Sequence, residues 1–256
     1  MPPALSPAMT CLGLDLGWQS GPSGLCQLRQ QNQQLTLVTL EHLPQLNDVL
    51  AWVDAHVPPQ APVIAAIDAP TIIPNATGMR VPDRLAHQWY GRYHAGCYPA
   101  NQSRPFAQRL VAFAEALTAR GLCHAPTLTP RQMGRYQIEV FPHPAMVNLF
   151  RLPRILKYKK GRLADRRREL SRLRQLILTV LPKLEPALPL ESTDLPLIPQ
   201  TGRALKAVED QLDSLICAYV AAHYWWWGCD RNQILGSRAE GYIVVPCPEG
   251  PPPAPA

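Results

Sequence analysis

The chain has 256 residues, of which 46% are hydrophobic and 17% are charged, so it is long enough to bury one substantial core. It contains no run of about 18 apolar residues, which argues against a membrane-spanning helix, and its N-terminus lacks the basic and apolar regions of a secretory signal. The seven cysteines form no CxxC pair and no zinc-ligand spacing, so we expect reduced thiols and a cytoplasmic protein.

The net charge of +6 comes from one basic segment, residues 151–174. This segment holds 11 of the 25 basic residues and two of the 19 acidic ones, so its net charge is +9 and the rest of the chain carries −3. A patch of this kind suits a polyanion such as nucleic acid. The alternative is a solvated helical face, and a charge run alone does not separate the two.

The spacing of apolar residues predicts a mixed α/β order along the chain. The predicted strands span residues 10–16, 24–29, 34–40, 62–68, 136–141 and 241–245. The predicted helices span residues 45–56, 83–93, 105–120, the basic segment and 204–227. The first three strands are close enough in sequence to pair antiparallel, whereas the later ones are separated by helices and are predicted to be parallel. Pro142 and Pro144 are predicted to end the fifth strand.

We expect a single domain over residues 10–247. An insertion is predicted at about 71–120, after the fourth strand, and a basic helical segment at about 151–181. Residues 1–9 and the proline-rich tail, residues 248–256, are predicted to be disordered.

Five carboxylates lie where predicted strands end or on one face of a helix. Asp15 ends the first strand, Asp68 ends the fourth, and Glu139 lies in the fifth. Asp210 and Asp213 are three residues apart in the last helix, a spacing that places both on one face. A carboxylate among apolar residues is costly unless a positive charge meets it, and Mg²⁺ or Mn²⁺ prefers such oxygen ligands. The pattern therefore predicts a metal-dependent phosphoryl-transfer site.

Three of these acids also have a purely structural interpretation. Asp15 and Asp68 would cap the turns that follow them, and Asp210 would be solvated on the helix surface. At about 100° per residue, Asp213 lies nearer than Asp210 to the apolar stripe of their helix. Asp213 is therefore the stronger candidate for a metal ligand.

The role of Glu139 and of the histidine that follows it stays open. Glu139 either joins the metal cluster or pairs with an arginine such as Arg80 or Arg104. His143 is either a proton carrier, since its ordinary pKa is near neutrality, or a structural histidine between two prolines.

Seven short motifs resemble, in order, those of a known family. They are GLDLG at 13–17, AIDAP at 66–70, YPAN at 98–101, IEVFPHP at 138–144, YKKGR at 158–162, VEDQLDSLICA at 208–218 and GYIVVP at 241–246. The family is domain-of-unknown-function family 429, described as predicted RNase H-like nucleases. The resemblance implies a ribonuclease H-like fold, an α/β arrangement in which helices flank a mixed sheet, with an insertion after the fourth strand.

The resemblance also implies chemistry. Two divalent metal ions, Mg²⁺ or Mn²⁺, would lie astride a scissile phosphate, one activating water and the other stabilising the leaving oxygen. Asp15, Asp68, Asp210 and Asp213 would be the metal ligands, and Glu139 would join Asp15, Asp68 and Asp213 as a catalytic residue. The first predicted helix has no acid in a matching motif, which favours the layout of Holliday-junction resolvases over that of ribonuclease H itself.

Basic residues would bind nucleic acid, DNA or RNA, through its phosphates and without reading its sequence. The candidates are Lys157, Lys159, Lys160, Arg162, Arg166, Arg167 and Arg168. Lys157 and Lys159 would alternatively stabilise the transition state.

The expected function is that of a metal-dependent nuclease. Two alternatives remain: a non-catalytic nucleic-acid-binding protein on the same fold, and a nucleotide phosphotransferase of the actin-like ATPase kind, since GLDLG also opens those proteins. The three tryptophans that end the last helix, residues 225–227, cannot share one face, so at least one is expected to be exposed or at an interface. This allows a homodimer through that region.

Overall fold

The computed structural model of the chain describes residues 8–31 and 33–251. The strands are β1 (Met9–Asp15), β2 (Ser23–Gln31), β3 (Gln34–Leu43), β4 (Val63–Ile67), β5 (Cys123–His124), β6 (Arg135–Glu139), β7 (Asn232–Ser237) and β8 (Gly241–Pro246). The α-helices are α1 (Leu46–His56), α2 (Val81–Tyr90), α3 (Ala107–Ala119), α4 (Pro142–Leu149), α5 (Leu163–Val180) and α6 (Gly202–Trp227).

The first six strands form one sheet in the order β3-β2-β1-β4-β6-β5, and β7 and β8 form a separate hairpin. β2 pairs antiparallel with both β1 and β3, as predicted for strands joined by short connections. β1, β4, β6 and β5 run parallel to one another. Helices separate β1 from β4 and β4 from β5 in the sequence, whereas β5 and β6 are joined by an irregular loop. The mixed α/β architecture is therefore confirmed. The two-residue strand β5 and the strand β7 were not predicted.

The parallel pairing aligns the ends of three strands at one edge of the sheet. Leu14 in β1 is opposite Ile67 in β4, and Ile67 is opposite Glu139 in β6. Asp15 ends β1, and Asp68 follows β4 directly, with its backbone N–H donating to the Leu14 carbonyl over 2.9 Å. The register thus brings three of the predicted acids to one edge.

Two glycines allow α6 to lie directly on the sheet. A Cβ atom at Gly13 in β1 would lie 1.9 Å from the backbone oxygen of Ser214. A Cβ atom at Gly24 in β2 would lie 1.9 Å from the backbone oxygen of Asp210. No side chain larger than hydrogen fits at either position, so these glycines set how closely the acid-bearing part of α6 approaches the sheet.

The sheet is covered on both faces. One core joins it to α4, α5 and α6, and the other joins it to α1 and α3. The predicted insertion does not form one body of its own, because its two helices pack on different partners. Tyr90 of α2 packs against Leu235 and Ile243 of the hairpin, whereas Phe113 of α3 belongs to the core beneath the sheet.

The prolines after β6 start a helix that the sequence pattern did not predict. β6 ends at Glu139, and Pro142 is the first residue of α4. Proline is favourable in the first turn of a helix because the amide it lacks would have no partner there. Pro142 and Pro144 therefore lie within the first turn of α4 as well as beyond the end of β6.

The chain ends differ in part from expectation. Met9 is fully buried in β1, so the predicted disorder of residues 1–9 is wrong at that residue. Residues 1–7 and 252–256 lie outside the described residues.

The three tryptophans that end α6 are largely covered. Trp225 and Trp226 are buried, and Trp227 lies half-buried beneath Arg231, whose guanidinium carbon is 3.7 Å from the centre of the Trp227 ring. A dimer through this region stays a prediction. Within residues 8–31 and 33–251, no helix combines the length and apolar character needed to cross a membrane.

Candidate active site

Asp15, Asp68 and Asp213 face one another where α6 crosses the edge of the sheet. Burial raises the pKa of Asp15 well above its usual range, and although Lys159 lowers it in part, the charges of Asp213 and Asp68 raise it further. Burial likewise raises the pKa of Asp68 to about 6. Asp213 is completely buried. We call these three residues the acid cluster. Asp15 ends β1 and Asp68 directly follows β4, the adjacent parallel strand, and Asp213 precedes Ser214, whose backbone lies against Gly13 of β1.

Lys159 carries the positive charge that meets the acid cluster. Its Nζ lies 2.8 Å from Oδ2 of Asp213. Burial lowers the pKa of Lys159, but the charges of Asp213, Asp15 and Asp68 outweigh this effect and raise that pKa well above its usual range. The lysine is therefore an ammonium group at any ordinary pH. Sequence reasoning assigned it to phosphate binding or to the transition state and did not foresee its ion pair with Asp213.

Tyr158 holds the lysine segment against α6. Its hydroxyl donates a hydrogen bond of 2.7 Å to Oδ1 of Asp213, and its carbonyl accepts one of 2.9 Å from Nε of Arg166. The other oxygen of Asp213, Oδ2, is buried and has no hydrogen-bond partner, so its close contact with Lys159 is an ion pair without hydrogen-bond geometry. Tyr158 was not predicted as a site residue, although it opens the YKKGR motif.

Asp210 is buried, which overturns the interpretation that it is solvated on the helix surface. It is only 2% exposed, with Oδ1 lying 2.5 Å from Nζ of Lys206 and Oδ2 lying 3.2 Å from Nε2 of His42. Lys206 also lies 2.9 Å from Oε1 of Glu209. Both Asp210 oxygens thus have partners of their own, and the predicted role of Asp210 as a metal ligand stays a prediction.

Glu139 pairs with Arg80, one of the two arginines that the sequence analysis named as its possible partners. Nη2 of Arg80 lies 2.6 Å from Oε1, and Nη1 donates to Oε2 over 2.9 Å. The backbone N–H of Thr71 also donates to Oε2, and Arg80 makes a second ion pair with Asp83. Burial raises the pKa of Glu139 and Arg80 counteracts it. With both oxygens engaged, Glu139 acts as a buried counterion, and its catalytic role stays a prediction.

His143 lies beside the acid cluster in the first turn of α4. Its ring centre is 5.7 Å from that of Tyr158, and its Nδ1 is buried without a hydrogen-bond partner among the described residues. Burial lowers the pKa of His143 to about 4, with a further contribution from Lys159. The imidazole is therefore neutral near pH 7, a state that can accept a proton. This location favours neither of the two predicted roles by itself.

The seven predicted phosphate-binding residues divide into two groups. Arg166, Arg167, Arg168 and Lys159 have protein partners: Tyr158 for Arg166, Pro199 for Arg167, Asp165 for Arg168 and Asp213 for Lys159. Lys157, Lys160 and Arg162 are exposed, and no ion pair is present for them within the described part of the chain. The second group is the surface available to a phosphate backbone.

Two aromatic side chains lie close to Asp68. The indole N–H of Trp18 donates to the Asp68 carbonyl over 2.9 Å. Tyr98 is 58% exposed, with the guanidinium carbon of Arg104 5.0 Å from its ring centre. Both aromatic rings line a cavity of about 40 Å³ that also reaches Asp68 and Glu139. Trp18 was missed because its position after the GLDLG motif has no periodic pattern.

The donor chemistry of the acid cluster fits a divalent cation. Asp15, Asp68 and Asp213 offer the carboxylate oxygens that Mg²⁺ and Mn²⁺ prefer. Oδ2 of Asp213 has no hydrogen-bond donor, but it already faces one cation, the ammonium group of Lys159. Among residues 8–31 and 33–251, no three His, Cys, Asp or Glu side chains are placed to hold a metal ion as they stand. Lys159 is the cation that the cluster contacts in this arrangement.

The family profile described as "Protein of unknown function (DUF429)" matches residues 13–234, a range that includes the whole acid cluster and Lys159. The chain belongs to this family. No curated protein and no solved structure matches the chain. Membership of this family, which the sequence motifs predicted, is confirmed. The description of the family names no activity.

Proposed function

We propose that this chain is a metal-dependent nuclease of ribonuclease H-like fold that hydrolyses phosphodiester bonds. The observation that carries the proposal is the meeting of Asp15, Asp68 and Asp213 at one edge of the sheet, next to an exposed basic surface. The strand order β3-β2-β1-β4-β6-β5, with an acid ending β1, supports the fold assignment.

The acid cluster would hold Mg²⁺ or Mn²⁺. When bound there, a divalent cation lowers the pKa of a water molecule and stabilises negative charge on the leaving oxygen. Tyr158 keeps Asp213 in place through its hydrogen bond to Oδ1. Lys159 supplies a fixed positive charge beside the acids, where a phosphate would otherwise be repelled. His143 is neutral near pH 7, but its pKa of about 4 makes it only a weak base, so it is not assigned a step.

Lys157, Lys160 and Arg162 would bind the phosphate backbone. They are exposed near the turn at Gly161, on both sides of Lys159, the residue that contacts the acid cluster. Such contacts add affinity without sequence specificity. Replacing all three by glutamine should weaken nucleic-acid binding and make the slope of log K against log salt shallower by about 2–3. Lys183→Gln, an exposed cation outside the basic segment, is the matched control.

The test of catalysis is cleavage of labelled single-stranded, duplex and branched DNA and RNA in Mg²⁺ or Mn²⁺. Wild type is compared with Asp15→Asn and with Asp48→Asn, which removes an exposed acid from the first turn of α1. Cleavage should persist in wild type and Asp48→Asn and be lost in Asp15→Asn. Cleavage that survives Asp15→Asn would place the chemistry elsewhere and end the proposal.

A second function is favoured by one observation. Because the Lys159 ammonium already meets the acid cluster, the same fold would also be stable as a nucleic-acid-binding protein without catalysis. In that case nucleic acid would bind with the usual salt dependence, no strand would be cut in either metal, and Asp15→Asn would leave binding unchanged.

A further inference from the structure

We infer that Tyr98 and Arg104 form a stacking platform for an unpaired nucleobase, so that the substrate is single-stranded where it meets the acid cluster. This inference rests on the proposed function and names the substrate class of the same site. Its basis is the exposed ring of Tyr98, the unpaired guanidinium of Arg104 and the position of both beside Asp68.

Tyr98 presents its ring to solvent. At 58% exposure it is the most exposed tyrosine, tryptophan or phenylalanine of residues 8–31 and 33–251. The ring is nevertheless supported: the guanidinium carbon of Arg104 lies 5.0 Å from its centre, and the ring centre of Phe106 lies 6.3 Å away. A ring that is held in place and still open offers a π surface on which a base can stack.

Arg104 adds a positive charge that no acid neutralises within the described part of the chain. Glu139, which the sequence analysis named as its possible partner, pairs with Arg80 instead. Between residues 8–31 and 33–251, the Arg104 side chain has neither an ion pair nor a hydrogen bond, and its Nε is buried without a partner. An arginine that stacks on an aromatic ring and keeps its donors free is suited to bind the phosphate of a stacked nucleotide.

Hydrogen bonds hold the loop that carries Tyr98, the first residue of the YPAN motif. The backbone N–H of Ala100 donates to Oδ2 of Asp83 over 3.0 Å. The side-chain amide of Asn101 donates to the Gly78 carbonyl over 2.7 Å. A platform that is already ordered loses little conformational entropy when a base binds to it. The later residues of the motif therefore fix the position of its tyrosine.

The platform lies close enough to Asp68 to take a base of the strand bound there. Phe106, which packs against Tyr98, has its ring centre 4.9 Å from that of Trp18, and the Trp18 indole donates to the Asp68 carbonyl. The cavity that Tyr98 shares with Asp68 measures about 40 Å³, which holds little more than one water molecule, so a base would lie on the exposed ring surface. Neighbouring base pairs cover the faces of bases within a duplex, whereas an unpaired base leaves a face free to stack.

The experiment measures, by fluorescence anisotropy in EDTA, the binding of labelled single strands of DNA and RNA and of duplexes with the same sequences. Tyr98→Ala should weaken single-strand binding by about 5- to 150-fold, the effect of losing one base–aromatic stack, and should leave duplex binding unchanged. Tyr98→Phe, which keeps the ring, should bind like wild type. Leu197→Ala, which removes another exposed apolar side chain, should also match wild type.

Arg104→Gln tests the second half of the platform. It should make the slope of log K against log salt shallower by about 0.7 on single strands, because it removes one phosphate contact. An unchanged slope would overturn the role given to Arg104.

An unchanged single-strand affinity in Tyr98→Ala would overturn the stacking inference and leave the nuclease proposal standing, because cleavage by Asp15→Asn decides the latter. Equal losses on single strands and duplexes, or a wild type that binds duplexes alone, would overturn it as well. A wild type that binds neither form would overturn both the inference and the proposed function. If Tyr98→Ala does not fold, Tyr98→Leu, which keeps apolar bulk without a π surface, takes its place and should show the same selective loss.

Discussion

Neutralising Asp68 should make the protein more stable at neutral pH. Burial raises the pKa of Asp68 from 3.8 to about 6, because the ionised form is poorly solvated beside Asp213 and only partly compensated by Lys159. That difference corresponds to about 3 kcal/mol at 1.36 kcal/mol per pKa unit. Asp68 is partly exposed, so we expect Asp68→Asn to raise the free energy of unfolding by about 1–2 kcal/mol. For a domain of this size the melting temperature would rise by about 2–8 °C.

The gain should depend on pH in a defined direction. A raised pKa in the folded state means that the folded protein binds more protons than the unfolded chain between pH 3.8 and about 6. The stability contributed by protonated Asp68 is therefore fully present below pH 3.8 and lost as the pH rises through 6. The advantage of Asp68→Asn over wild type should be largest above pH 6 and should shrink towards pH 4.

Urea unfolding followed by circular dichroism, in EDTA at pH 7.5 and again near pH 4, measures this difference. Asp48→Asn, at an exposed position on α1, should change stability by less than about 0.5 kcal/mol at either pH. A loss of stability in Asp68→Asn at pH 7.5 would refute the reasoning. So would a gain of the same size at both pH values, since burial of the charge would then not be its cause.

Two further predictions concern the packing of the sheet and the buried counterion pair. Gly24→Ala should destabilise the fold by at least about 3 kcal/mol in urea unfolding, because its Cβ would lie 1.9 Å from a backbone oxygen of α6. Gly91→Ala should be neutral or slightly stabilising, since its backbone is helical and no atom lies within 4 Å of the new Cβ. Arg80→Leu should cost about 3–5 kcal/mol by thermal or urea unfolding, because it leaves Glu139 buried without its cation. Arg120→Leu, which removes a partly exposed ion pair, should cost at most about 1 kcal/mol; equal losses in both arginine variants would contradict the distinction.

Local sequence patterns determined most of the secondary structure and which acids were worth considering. Alternating or continuous apolar runs predicted β1, β2, β3, β4, β6 and β8, and helical spacing predicted α1, α3 and α6, each within a few residues. The basic helical segment was predicted at about 151–181, but α5 begins only at Leu163. Asp15 and Asp68 could be identified as site candidates because each ends an apolar strand, a position where an unpaired charge is costly. These inferences succeed because backbone periodicity and the cost of burying charge act over short stretches of chain.

Only the tertiary structure decided which charged groups meet. Nothing local distinguishes Lys159 from Lys157 or Lys160, yet the fold directs Lys159 alone of these three to Asp213. The burial of Asp210 depends on contact with Lys206, His42 and the sheet beneath α6. Ion pairs between distant residues follow from how elements pack, and packing is set by the whole core and by close approaches such as that at Gly24. The elements and the acids could thus be predicted from the sequence, whereas the pairing of their charges required the fold.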